Sequence, residues 1–168
     1  MTDSATTQHS VSEEAATAAT RARERAALVR RYFDACNAAD HDALMACLAP
    51  DAVHYVPPGP ADTPWRGAEA ICRQRIGCVE RLGSQWTIET MLFSPDSPEA
   101  VVEWTHWQSG PGTAQRGDEW YVFDETTGLI REIRSYHAAP AVHDAPIGEL
   151  VGFDYAGRGY HLKADADR

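Results

Sequence analysis

Hydrophobic positions along this chain are mostly helical in spacing up to about residue 84 and strand-like beyond it. From Arg23 onward, Leu28, Val29, Tyr32, Phe33 and Cys36 recur at spacings of three and four, which places them on one face of a long helix. Asn37-Ala-Ala-Asp40 ends that helix, and Asp40 is placed to cap a short second one carrying Leu44, Met45 and Leu48. Pro50-Asp51 breaks it, and residues 52–56 read as a strand stopped by Pro57-Pro58-Gly59. A loop over 59–64 leads through Trp65-Arg66-Gly67 into a third helix, 68–81, with Ile71, Ile76 and Val79 apolar and Gly83 where a left-handed cap belongs. After Ser84 the pattern is strand-like: 85–93, 100–108, 114–123 and 129–137 are separated by Ser94-Pro-Asp-Ser-Pro98, Ser109-Gly-Pro-Gly112 and residues 124–128. Three helices, one strand and then a four-stranded antiparallel meander make an α+β order, with the helices gathered on one side of the sheet.

Size and composition narrow what such a domain can be. The chain has 168 residues, 43% hydrophobic and 24% charged, which suits one domain with a tail at each end. Residues 1–20 are expected to be a disordered tail and 21–138 the folded domain. Residues 139–168 form a C-terminal extension whose segment 147–155 is expected to pack on the domain or on a partner subunit. The net charge of −10 argues against nucleic acid as a partner. The basic cluster Arg21, Arg23, Arg25, Arg30 and Arg31 alternates with Ala and Glu as on a solvated helix face. No apolar run approaches the roughly 20 residues that cross a bilayer, and no secretory leader is evident, so no membrane partner is expected. Cys36, Cys47, Cys72 and Cys78 form no CxxC pair and read as small buried hydrophobes in a reducing cytoplasm.

Two stretches carry a family resemblance. Val29-Arg-Arg-Tyr-Phe-Asp-Ala-Cys-Asn-Ala-Ala-Asp40 with Ala43-Leu-Met-Ala-Cys-Leu-Ala-Pro-Asp-Ala-Val53 resembles the opening of the nuclear-transport-factor-like superfamily, within it the SnoaL-like and ketosteroid-isomerase-like enzymes. Tyr121-Val-Phe-Asp124 with Gly128-Leu-Ile-Arg-Glu-Ile-Arg-Ser-Tyr-His137 is similar to the last hairpin of that fold. The resemblance implies a cystatin-like roll: a cone-shaped curved antiparallel sheet closed by three N-terminal helices, with a small-molecule pocket inside. A homodimer is expected, built on the open sheet face where Trp120 and Val122 would otherwise be exposed. The resemblance also sets Tyr32 where ketosteroid isomerases keep an oxyanion-donating tyrosine, and Glu119 where they keep a carboxylic acid held neutral by an apolar site. Val56 stands at the position of their catalytic base and cannot move a proton.

The two-residue strand period extends this register. If Glu119 faces inward, so do Tyr121 and Phe123. The other inward sets are then His54 with Val56, Val102 with Trp104 and His106, and Arg131 with Ile133, Ser135 and His137. Taken singly, each histidine reads as a satisfied core residue; gathered in one cavity with a glutamate and two tyrosines, they suit acid–base chemistry. The catalytic candidates are therefore Tyr32, His54, His106, Glu119 and His137, with His106 first among the histidines. Val56, Trp104, Tyr121, Arg131 and Ser135 are the substrate-contacting candidates. The expected activity is a dehydratase or isomerase working on a small, largely apolar carbonyl or hydroxy compound without a cofactor. Scytalone-type dehydratases resemble this pattern of histidines and tyrosines; bile-acid dehydratases resemble it too, but carry an acid where Asn37 stands here. The alternatives are an epoxide hydrolase using Glu119 and Arg131, a polyketide-cyclase-type enzyme, or a binding module without catalysis. Three histidines and a glutamate also form a conceivable metal set, but no HxH or HxxxH spacing supports it and no metal is expected.

Overall fold

The apolar face read from Leu28 to Cys36 lies on α1 (Asp3–Ala38), where Leu28, Val29, Tyr32, Phe33 and Cys36 are all buried. The structure, a computed structural model, describes residues 3–57, 63–94, 97–137, 152–154 and 157, apart from the side chains of 3–12 and 14. Helix α1 begins well before Arg23, so the boundary expected at residue 20 falls inside an element; Thr17 and Thr20 return their hydroxyls to the carbonyls of Glu13 and Ala16. The helix ends in a Schellman arrangement, in which Asp40 N donates to Ala35 O and Ala39 N to Cys36 O, both at 3.0 Å. That geometry forces a left-handed backbone on Ala39, at φ 51°, where glycine is the usual occupant. Asp40 then caps α2 (His41–Met45) by accepting from Ala43 N at 3.0 Å.

Leu48 departs from the helical reading. It opens β1 (Leu48–Tyr55), and Ile130 N donates to the carbonyl of Cys47 just before it. Tertiary pairing with Ile130 outweighs local helix propensity there. Pro50 is tolerated because the β1 pairing shifts register between Leu48 and Val53, so a missing N–H costs no ladder bond. Strand β1 stops at Tyr55, which leaves Val56 beyond the sheet. A two-residue strand that the sequence pattern did not show, β2 (Trp65–Arg66), pairs antiparallel with it. Helix α3 (Ala68–Leu82) follows and closes on Gly83 at φ 61°, ψ 41°, the expected left-handed cap.

Four long strands complete the fold: β3 (Ser84–Phe93), β4 (Glu99–Gln108), β5 (Thr113–Phe123) and β6 (Ile130–His137). They pair antiparallel in sequence as the turn chemistry implies, and the sheet order is β2-β1-β6-β5-β4-β3. The sheet is mixed rather than wholly antiparallel, because β1 joins β6 in parallel. Irregularities at Ile88/Thr90 and Val122/Phe123 bend the strands into a curved sheet that does not close into a barrel. The helices cover its concave face, and Tyr32, Trp86, Val102, Trp104, Tyr121, Phe123, Ile130 and Ile133 form the core between them.

Asn37 locks α1 to the sheet by imitating a strand neighbour. Its Nδ2 donates to Trp86 O at 2.8 Å and its Oδ1 accepts from Trp86 N at 2.7 Å. An acid at this position would lose the donor half of that clamp. On the convex face Trp107 and Trp120 stay exposed, while Val122 is buried. Of the C-terminal extension only a few residues are described, so most of the segment 147–155 lies outside the described residues. Phe153 itself packs edge-on to Tyr55 at 5.2 Å and under the Arg134 guanidinium. Among the described residues no helix is long and apolar enough to cross a membrane.

Candidate active site

The inner face of the sheet carries its polar side chains in rows set by the strand register. Nearest the open end, His106 lies beside Trp86 and Gln115. The next row holds Ile88, Trp104, Gly117 and His137. Below it come Val102, Glu119 and Ser135, and then Ala100, Tyr121, Ile133 and His54.

Glu119 is the hub of the deep rows, but it is not the neutral acid that the sequence reading expected. Arg75, from α3, donates to its Oε1 from Nη2 at 2.6 Å and to the Tyr32 hydroxyl from Nε at 3.1 Å. Tyr121 donates to Oε2 at 2.5 Å and Ser135 to Oε1 at 2.8 Å. Burial raises the carboxyl's pKa, yet the Arg75 charge, with help from His54, Tyr121 and Ser135, overrides that and holds it at about 2. A carboxylate that is ionised and already accepts from three donors gives nothing to a substrate oxygen. Burial keeps both Tyr32 and Tyr121 protonated, with pKa values well above 10.

Arg75 was not among the residues singled out from the sequence. It follows Ile71 by four and Cys72 by three, both fully buried, so it belongs to the buried face of α3. A charged residue in the apolar stripe of a helix was the available signal, and it is the counter-ion that a buried Glu119 requires. Its guanidinium also sits over the rings of Trp86 and Tyr32, at 5.1 and 5.9 Å.

The three histidines do not meet at one point. His54 is fully buried, with Nε2 2.7 Å from Ser135 Oγ and 3.6 Å from Glu119 Oε1. Because Ser135 gives its proton to Glu119, it must accept from His54, which fixes the Nε2–H tautomer and leaves a lone pair on Nδ1. That Nδ1 is buried and has no hydrogen-bond partner among the described residues. Burial, then the Arg75 charge, lowers the His54 pKa to about 3, so the ring is neutral. His106 stacks on Trp86 at 4.4 Å with both nitrogens engaged, by Ser84 Oγ at 2.8 Å and Gln108 Nε2 at 3.3 Å. Its pKa falls to about 4, again through burial and then Arg75. His137 is exposed at the rim, its Nδ1 accepting from Gln115 Nε2 at 3.0 Å and its ring edge-on to Trp104 at 5.4 Å.

The other expected contacts divide in the same way. Trp104, Tyr121 and Ser135 are on the inner face and buried. Val56 is off the end of β1 and partly buried. Arg131 is a correction: it is exposed on the convex side, in a shallow groove with Asp51, Val53, Glu99, Val122 and Glu132. The bulge in the β5–β6 ladder pairs Val122 with Glu132 and Phe123 with Ile130, so Arg131 is skipped and Ile130 takes the inward place. The period of two that holds from His137 to Ile133 is broken at that point. Among the described residues no three His, Cys, Asp or Glu side chains are grouped as a metal would require.

A curved sheet under an N-terminal helical layer, with a polar cluster on its concave face, defines the class, and comparison with known proteins agrees. Residues 29–133 match the SnoaL-like domain family. A protein of unknown function with a cystatin-like fold from Methylobium petroleophilum is 40% identical, at a TM-score of 0.80 over 85% of this chain and 94% of its own. The chain belongs to the SnoaL-like domain family. Two more distant structures share the fold: an NTF2-like protein of unknown function from Mesorhizobium loti (22% identity, TM-score 0.59, 71% of this chain and 94% of its own) and a candidate ketosteroid isomerase from Kribbella flavida (19%, 0.58, 88% and 96%). A comparison with curated proteins gives no match.

Proposed function

We propose that this chain is a cofactor-independent acid–base enzyme of the dehydratase or isomerase type, acting on a small, largely apolar carbonyl or hydroxy compound with His54 as its base. The observation that carries this reading is the unpartnered, buried Nδ1 of a histidine whose tautomer is set by Ser135 and, through it, by Glu119. Sequence reasoning favoured His106, but both of its ring nitrogens are occupied. The hydrolytic alternative loses the arginine it relied on, since Arg131 is on the other face.

In this reading Nδ1 removes the proton next to the substrate carbonyl, and the C–H electron pair delocalises onto the carbonyl oxygen. Imidazolium forms with Glu119 3.6 Å from Nε2; that carboxylate favours the new charge, while burial and the Arg75 charge, which hold the ring's pKa at about 3, oppose it. Arg75 keeps that carboxylate ionised, and Tyr121 and Ser135 keep it in place. The proton then passes to another carbon, giving an isomer, or to a departing hydroxyl that leaves as water.

Exchange of α-hydrogens for deuterium in D2O, followed by NMR over a panel of β-hydroxyketones and β,γ-unsaturated ketones, tests the first step directly. His54→Gln should abolish exchange, and Ser135→Ala should slow it by roughly 10²-fold, in line with acid–base contributions. Because the His54 pKa is lowered to about 3, the base is free throughout the neutral range and kcat/KM should stay flat from neutrality down to about pH 4. An exchange rate that His54→Gln leaves unchanged would overturn the assignment.

A further inference from the structure

Trp104 carries the second unpartnered polar group of the inner face. Its indole Nε1–H is buried and has no hydrogen-bond acceptor among the described residues, and the residue is only 2% exposed. Burying an indole normally requires a partner for that N–H, and an orphaned donor costs roughly 1–3 kcal/mol. Phenylalanine would fill much of the same space without that cost, so the N–H calls for a partner from outside the described residues.

The ring's position indicates which partner. Trp104 pairs across the ladder with Gly117, and a Cβ at Gly117 would lie 2.7 and 2.8 Å from its Cζ2 and Cη2. The absence of a side chain at Gly117 is what lets the indole lie across β5. His137 at the rim meets the ring edge-on. Trp104 is thus one row above Glu119 and Ser135 and one row below His106, between the open end and the deep cluster. Its free donor and the free acceptor of His54 are the two unsatisfied inner-face groups among the described residues, and they are of opposite kind. A molecule that accepts at one atom and presents an acidic hydrogen at another satisfies both.

We propose that the Trp104 indole N–H is the anchor for the ligand's oxygen, and that Gly117 is the residue that sets it in place. This rests on the reading of the concave face as the ligand site, and it adds a specificity determinant to it: compounds with an acceptor oxygen are selected over apolar isosteres.

Acetophenone and ethylbenzene, alike in shape but differing in the acceptor, are suitable probes. The chain has five tryptophans, and the Nε1–H signal of Trp104 in a proton–nitrogen correlation spectrum is identified by its disappearance in Trp104→Phe. Acetophenone should move that signal downfield at saturation, whereas ethylbenzene should not. Trp104→Phe should weaken acetophenone about tenfold and leave ethylbenzene unchanged. No downfield shift in the wild-type protein up to the solubility of acetophenone, or equal weakening of both probes, overturns the proposal. The wild-type spectrum decides the matter even if Trp104→Phe folds poorly. His54→Gln separates the two ideas: a retained Trp104 shift with exchange unaffected in that variant sinks the base and spares the anchor, whereas exchange that the variant abolishes, with no Trp104 shift in the wild type, does the reverse.

Discussion

Replacing Arg75 with methionine removes the one cation that touches Glu119 among the described residues and leaves a carboxylate 2% exposed among tyrosines and a serine. The size of the effect follows from the carboxyl's own titration. A pKa held at about 2 against an ordinary 4.5 favours the ionised native state by about 3 kcal/mol, at 1.36 kcal/mol per pH unit. That falls within the roughly 3–5 kcal/mol that breaking a buried pair costs. The sign with pH is diagnostic. In the wild type the folded pKa is depressed, so this stabilisation is complete above about pH 4.5 and is lost as pH falls towards 2. In Arg75→Met burial, the largest influence, is opposed only by His54, Tyr121 and Ser135 and lifts the folded pKa above 4.5, so the variant should gain stability as pH falls from neutrality towards 4.5. The buried histidines contribute the opposite trend, because their lowered pKa values make acid destabilising below about 6.5. Comparison with Arg75→Met/Glu119→Gln cancels that contribution and isolates the carboxyl. Urea unfolding followed by tryptophan fluorescence between pH 4.5 and 8 measures all three proteins. A loss below about 1 kcal/mol at pH 7 for Arg75→Met, or identical pH slopes for the single and double variants, would refute the reasoning.

Two further substitutions test the backbone arguments. Ala39→Gly should stabilise the protein by about 0.5–1 kcal/mol in the same unfolding assay, because Ala39 holds φ 51° at the end of α1 and glycine adopts that conformation without a steric cost. A loss of stability would show that the entropy of the unfolded glycine outweighs the strain. Gly117→Ala should destabilise by about 1–3 kcal/mol and shift the fluorescence of Trp104, since a Cβ there would lie 2.3 Å from Tyr136 O and under 3 Å from the indole; unchanged stability and spectrum would mean that the ring is not seated by Gly117.

What could be read from the chain and what could not have separate physical causes. The meander was legible because each of its turns is written in Gly, Pro, Asp and Ser, and the α1 face because burial repeats over three turns. The inward positions of Glu119, Tyr121, Trp104, His106 and His54 follow from period two once the family resemblance sets its phase, and they hold in the structure. Leu48 and Arg131 were misread for a shared reason: both sit where pairing between distant strands sets the conformation, one at the β1–β6 junction and one at the β5–β6 bulge. The protonation of Glu119 was misjudged because its partner is on another element. A strand register shows which way a carboxyl points, not which helix covers it. Arg75 was visible only as a charge out of place on an apolar stripe.

The parallel seam between β1 and β6 also bears on how the chain folds. Leu48 and Ile130 are about eighty residues apart in sequence, whereas every other long-strand pair is joined by a single turn. Closing that loop carries an entropic cost that local hairpins avoid, so the β3–β6 meander can form before β1 docks. His54 rides on β1 and reaches Ser135 only across this seam. In that order the proposed base arrives only when β1, with β2 on its outer edge, docks on the meander, and the deep cluster is completed late in folding.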